Sequence, residues 1–281
     1  MTLKFAETAY GELAYRESGQ DTGVPLVLLQ RFRGTIDDWD PELLAPLAGA
    51  RRIIRFDSAG IGGSGGKVPE TIEEMAQILI AFLDTLQLGA VDLMGWSLGG
   101  IVAQYAALLA PSRFRRLVVA GSGPGGVNDG PDPHPRVTEI MRNPANGEDD
   151  FLFLFFAPSR LSRESGRAHL ARLARIPDRV PATTYTSAMA QMKAIMRFAG
   201  LLDRLPELDL PILVANGISD VMIPAYRSYV IARDAPCARL LLYPDAGHAF
   251  LFQVADDFAW QVNRFLDAPV NTAPHVQVQT P

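Results

Sequence analysis

The stretch Val91-Asp92-Leu93-Met94-Gly95-Trp96-Ser97-Leu98-Gly99-Gly100 decides how the rest of the chain is read. It opens on apolar side chains, turns at a serine bracketed by glycines, and continues into Ile101, Val102, Tyr105 and Leu108. Those positions return at helical spacing until Pro111 stops them. A G-x-S-x-G between strand and helix is the context in which a serine occupies a sharp, strained turn. Side chains at positions 95 and 99 would collide with the crossing backbone there. The following helix directs its first amides at any oxyanion formed beside Ser97. A glycine-lined helix start without chemistry has the same local pattern, so the reading depends on a base and an acid elsewhere.

Outward from this turn, strand and helix alternate. Short branched apolar runs lie at 24–29, leading into Gln30-Arg31-Phe32, and at 52–56, leading into Asp57. Others lie at 116–120, 211–215 and 238–243, each with the length and flanking turn residues of a buried strand. Thr71 precedes Ile72, Met75, Leu79, Phe82, Leu83 and Leu86, with Glu74 completing a capping box. Further helices are expected at 224–234 and 255–266. This alternation predicts a parallel sheet covered on both faces, with a hairpin at Tyr10–Tyr15 added to one edge. Arg113, Arg115 and Arg116 are expected in a solvated turn before a strand.

Between Gly121 and Pro211 the rhythm breaks. Loop chemistry rich in glycine and proline gives way to helical patterns at 135–142, 149–156, 163–175 and 183–198. We therefore expect a core of residues 1–122 and 206–267, a helical cap at 123–205 over the ligand-binding edge, and a loosely ordered tail at 268–281. The cap phenylalanines (151, 153, 155, 156 and 198) and Met189, Met192 and Met196 suit cap-to-core packing, with some lining an apolar pocket.

A serine hydroxyl is a poor nucleophile until a base, oriented by a third group, takes its proton. The chain has four histidines. His275 falls in the tail, His134 in a proline-rich loop and His169 in a cap helix, all expected at the surface. His248, in Asp245-Ala246-Gly247-His248, follows the last strand and is the best-placed base. Asp220, in Asn216-Gly217-Ile218-Ser219-Asp220, follows a strand in the same way and gives the order Ser, Asp, His. Asp245 is a rival acid that reads better as a turn former, and Asp220 alone could equally cap the helix near Pro224.

Taken together, these segments resemble the α/β-hydrolase superfamily over nearly the whole chain, especially its capped esterase, lactonase and C–C hydrolase branch. Asp57-Ser58-Ala59-Gly60-Ile61-Gly62-Gly63-Ser64 is similar to the family's D-x-x-G-x-G-x-S loop. The resemblance implies an α/β fold with an eight-stranded, mostly parallel sheet and a cap inserted after strand 6. It implies a triad of Ser97, Asp220 and His248, with the amides of Phe32 and Leu98 as oxyanion donors. Where the family usually has His-Gly, this chain has Gln30-Arg31-Phe32-Arg33-Gly34. That departure puts Arg31 beside the expected site, as a substrate-carboxylate ligand or a surface ion pair. Trp96 is a further pocket candidate.

The activity expected is hydrolysis of a small apolar carboxylic ester or lactone through an acyl-enzyme, without cofactor or metal. Cofactor-free haloperoxidase or perhydrolase activity and C–C bond hydrolysis use the same triad. Dehalogenase and epoxide hydrolase are disfavoured, because the branches of the family with those activities have Asp at the nucleophile position, where this chain has Ser97. A non-catalytic small-molecule receptor is the alternative of another class. The net charge of −5 and the absence of a concentrated basic patch argue against nucleic acid. A single cysteine, Cys237, excludes an intrachain disulfide. Matches to G-x-G-x-x-G at Gly60–Gly65 and Gly121–Gly126 read as turns, since neither opens a helix directly. An N-terminus without an apolar h-region and the lack of a membrane-length run predict a cytoplasmic protein that takes a small-molecule substrate and no membrane partner. Nothing in the chain specifies an oligomeric state.

Overall fold

The computed structural model describes residues 2–269. The chain begins with β1 (Lys4–Thr8) and β2 (Gly11–Ser18), then β3 (Leu26–Leu29), α1 (Pro41–Ala50), β4 (Ile53–Phe56) and α2 (Ile72–Thr85). It continues through β5 (Val91–Trp96), α3 (Leu98–Leu109) and β6 (Phe114–Ala120). Four helices follow: α4 (Pro135–Arg142), α5 (Glu148–Phe155), α6 (Arg160–Ala174) and α7 (Tyr185–Arg197). The chain then returns to the sheet with β7 (Ile212–Gly217), α8 (Ala225–Asp234), β8 (Ala238–Tyr243), α9 (Phe250–Gln253) and α10 (Ala255–Asp267).

The eight strands form one sheet in the order β1-β2-β4-β3-β5-β6-β7-β8. The β1–β2 hairpin and its junction with β4 are antiparallel, and all later pairings are parallel. Both faces are covered, so the central strands alternate between two cores rather than between core and water. Val27, Leu29 and Leu93 point into one apolar cluster, and Leu26, Leu28 and Met94 into the other. Thr71 caps α2 by accepting the Glu74 amide at 3.1 Å. That helix buries Ile72, Met75, Leu79, Phe82 and Leu83 against the first cluster.

The eight-stranded sheet and the helical segment after the sixth strand agree with the sequence reading. Helix α1 was not anticipated, because its alanines, glycine and internal Pro46 dilute its period. Its start was nevertheless legible: Asp40 accepts the Glu42 amide at 2.9 Å and proline stands at the first helical position. The basic cluster also needs correction. Arg115 and Arg116 lie within β6. Arg116 is buried and donates to the carbonyls of Phe265, Leu266 and Ala268 at the end of α10. Those unsatisfied helix-end carbonyls, with their partial negative charge, draw the cation inward. Of the expected tail, residues 270–281 lie outside the described residues. No helix among the described residues is long and apolar enough to cross a membrane.

Candidate active site

Ser97 stands between β5 and α3 with φ 57° and ψ −118°. A non-glycine residue held at positive φ stores roughly 1–3 kcal/mol, and surrounding structure must hold it there. Here the fit of the glycines supplies that constraint. A Cβ on Gly95 would come within 2.1 Å of the Gly99 carbonyl oxygen, and one on Gly99 within 2.3 Å of that of Leu29. The Ser97 amide donates to Ala120 O at 2.9 Å, and its carbonyl accepts from Ser122 Oγ at 2.8 Å. The turn is therefore tied to the end of the neighbouring strand β6 and to the loop that follows it.

The loops after β7 and β8 bring Asp220 and His248 together. His248 Nδ1 lies 2.6 Å from Asp220 Oδ2, with both side chains fully buried. The other oxygen, Oδ1, accepts the amides of Met222 and Ile223, each at 2.8 Å. Turn capping and imidazole binding thus use different oxygens of one carboxylate. An imidazole nitrogen facing an ionised carboxylate carries the proton, which leaves the Nε2 lone pair available. Nε2 is buried and forms no hydrogen bond with any described residue, Ser97 included. The rival acid Asp245 has φ 50° and accepts from Ser159 Oγ at 2.7 Å, as befits a turn residue.

Ser97 and His248 line the same cavity, about 150 Å³ in volume, with Arg31, Phe32 and Arg33 at one side. The helical segment contributes Met141, Phe151, Leu154 and Phe155, and the acid loop contributes Met222. Of the aromatic and methionine candidates in that segment, only Phe151 and Phe155 reach the wall. Phe153 packs on His134 instead, and Met189, Met192 and Met196 gather on a separate outer surface. Met141, Leu154 and Met222 carried no sequence signal beyond apolarity. Trp96 does not line this cavity. It lies buried behind it, packs 5.7 Å from the His248 ring and donates its indole N–H to His248 O at 3.0 Å. Its role is to hold the imidazole loop.

The amides on either side of Phe32 are committed elsewhere, as are those of Ser97 and Gly100 near Leu98. Arg31 N–H donates to Gln30 Oε1 (2.8 Å), Arg33 N–H to Gln191 Oε1 (3.0 Å) and Gly100 N–H to Ser97 O (2.9 Å). Arg31 itself is neither surface-exposed nor tightly paired. Its guanidinium carbon lies 5.0 Å from the Phe155 ring centre and 5.5 Å from that of Trp96. Burial lowers its pKa from the usual arginine value, partly opposed by Asp38.

The remaining candidates have structural explanations. Asp57 is buried and accepts the amides of Ile36 (2.7 Å) and Gly63 (2.9 Å); burial pushes its pKa up to about 7. Ser64 donates to Asp57 O, and the Gly60 amide to Gly65 O, so the glycine-rich segment is a closed turn. His169, expected at the surface, is buried with Nδ1 2.6 Å from Asp40 Oδ2. His134 caps α4, accepting the Arg136 amide, and His275 lies outside the described residues. No cluster of three or more His, Cys, Asp or Glu suited to a metal occurs among the described residues.

A family model described as "Alpha/beta hydrolase family" matches residues 32–261. A putative carbamate hydrolase, RutD, of Azorhizobium caulinodans is 27% identical over 91% of this chain and 95% of its own length. A pimeloyl-(acyl-carrier protein) methyl ester esterase of Edwardsiella ictaluri is 28% identical over 86% and 93%. Among solved structures, an alpha/beta hydrolase fold protein from Chitinophaga pinensis aligns with TM-score 0.86 and 32% identity, covering 95% of this chain and 97% of its own.

Proposed function

Because the chain belongs to the alpha/beta hydrolase family, we propose that it hydrolyses a small carboxylic ester or lactone through an acyl-enzyme on Ser97. The observation that carries this reading is the buried His248–Asp220 pair opening onto the cavity that Ser97 also lines. His248 Nε2 takes the Ser97 proton as Oγ attacks the carbonyl, a contact that tightens when substrate binds. Asp220 keeps the proton on Nδ1 and stabilises the imidazolium. The amides of Leu98 and Phe32 receive the oxyanion, and His248 then returns the proton to the leaving group. A water activated by the same imidazole releases the acid. Two curated relatives named for the hydrolysis of carbonyl compounds, a carbamate and a methyl ester, support this chemistry.

Turnover of short-chain p-nitrophenyl esters and γ- and δ-lactones tests the proposal. Hydrolysis of at least one class, reduced about 10⁴-fold or more in Ser97→Ala, is expected. Turnover that survives Ser97→Ala would refute the nucleophile. A protein that hydrolyses nothing but binds such compounds equally well as Ser97→Ala would be a receptor on this fold.

A further inference from the structure

On the basis of the hydrolase reading, we infer that Arg31 recognises a carboxylate on the substrate, so the preferred ester or lactone carries one negative charge on an otherwise apolar body. The cavity that holds Ser97 and His248 is walled by Met141, Phe151, Leu154, Phe155 and Met222; among the described residues its ionic lining is Arg31 and Arg33, and no Asp or Glu lines it. A cation facing an apolar cavity is costly unless an anion joins it there.

The two arginines are not equivalent. Arg33 is spent on the fold: its guanidinium donates to Met141 O and Asn143 O, each at 3.1 Å, and ties the core to the helical segment. Arg31 has capacity left. One terminal nitrogen donates to Phe32 O at 2.8 Å, while Nε is buried without a partner among the described residues. The nearest carboxylate, Asp38, lies 3.7 Å from its other terminal nitrogen. That carboxylate is already engaged by Arg179 at 2.6 Å and the Thr35 amide at 2.9 Å. The Trp96 and Phe155 rings lie 5.5 and 5.0 Å from the guanidinium carbon and 5.8 Å from each other, so both aromatic faces sit on one side of it. A planar fork held in this way matches a carboxylate and discriminates against a neutral ester of equal size.

The test compares mono-p-nitrophenyl adipate with its methyl ester, which has the same acyl chain without the charge, by kcat/KM at neutral pH. Wild-type protein is expected to favour the anionic ester by about tenfold or more, equivalent to about 1.4 kcal/mol. Arg31→Gln should collapse that ratio to near one or below, and Arg31→Lys, which keeps the charge but not the fork, should retain part of it. Should the Gln variant fail to fold, the Lys variant alone still reads the ratio. A wild-type ratio at or below one, or an equal loss on both esters in Arg31→Gln, would overturn the inference. Ser97-dependent turnover without anionic preference removes this inference alone. Absence of any turnover together with absence of fluorophosphonate label at Ser97 removes the hydrolase reading and this inference with it.

Discussion

Two imidazole–carboxylate pairs occur among the described residues, and they are alike in their central bond. His248 meets Asp220 and His169 meets Asp40, each through Nδ1 at 2.6 Å and each out of solvent. One aromatic cluster connects them: Phe252 stacks on His169 at 4.5 Å and meets Trp96 at 4.9 Å, and Trp96 packs against His248. They differ in what else the carboxylate holds. Asp40 also accepts two nitrogens of Arg172 and the Glu42 amide. Burial pushes its pKa up, but the bonds from His169 and Arg172 outweigh that and hold it below the ordinary aspartate value. Among the described residues Asp220 is held by the Met222 and Ile223 amides besides His248, with no Arg or Lys bonded to it. The two pairs differ again beyond the ring. His248 opens onto the cavity with Ser97, whereas His169 is enclosed by Phe151, Phe156 and Phe252. The bond itself is therefore no signature of chemistry; its surroundings make one pair a candidate base and the other a clamp between α6 and the start of α1.

Substitutions can separate these roles. The largest effect is expected at Asp220: in Asp220→Asn the imidazole loses its oriented tautomer, and ester turnover should fall about 10⁴-fold. Thermal unfolding of that variant should change far less than its kinetics. Asp40→Asn should do the reverse. It strands the buried His169 and the half-buried Arg172 guanidinium and should cost about 3 kcal/mol in denaturant titration, with kcat/KM of the folded protein within a few-fold. If Asp40→Asn abolishes turnover in protein shown to be folded, the division between the pairs is wrong.

The pH dependence carries a smaller effect with opposite signs. A folded pKa depressed below the unfolded value, as at Asp40, gives stability that is present above about pH 4 and lost as pH falls through the depressed pKa. Asp57, raised to about 7, acts the other way: between about pH 4 and 7 the unfolded chain ionises first, and stability falls as pH rises. Stability of wild type minus that of Asp57→Asn, followed across this window, should decline by up to about 1.4 kcal/mol per pH unit. A flat difference would show that Asp57 is ionised throughout.

Much of the candidate site is legible because its signals are local. Gly95, Ser97 and Gly99 sit within five residues, and the elements on either side follow from apolar runs and helical spacing. Asp220 and His248 are proposed from their order after successive strands, which is a property of the topology. The cavity wall was not legible, because Met141, Leu154 and Met222 come from separate segments and meet only in three dimensions. His169 and Arg116 were misread for one reason: each is polar, and polar residues are mostly exposed. Their burial depends on partners far along the chain, Asp40 for one and the α10 carbonyls for the other.

The most direct measurement is fluorophosphonate labelling followed by peptide mapping, run side by side on wild type, His248→Ala and His169→Ala. The account predicts a single label on Ser97 in wild type and in folded His169→Ala, and none in His248→Ala. Label on another residue, or label on Ser97 at wild-type rate in His248→Ala, would contradict it.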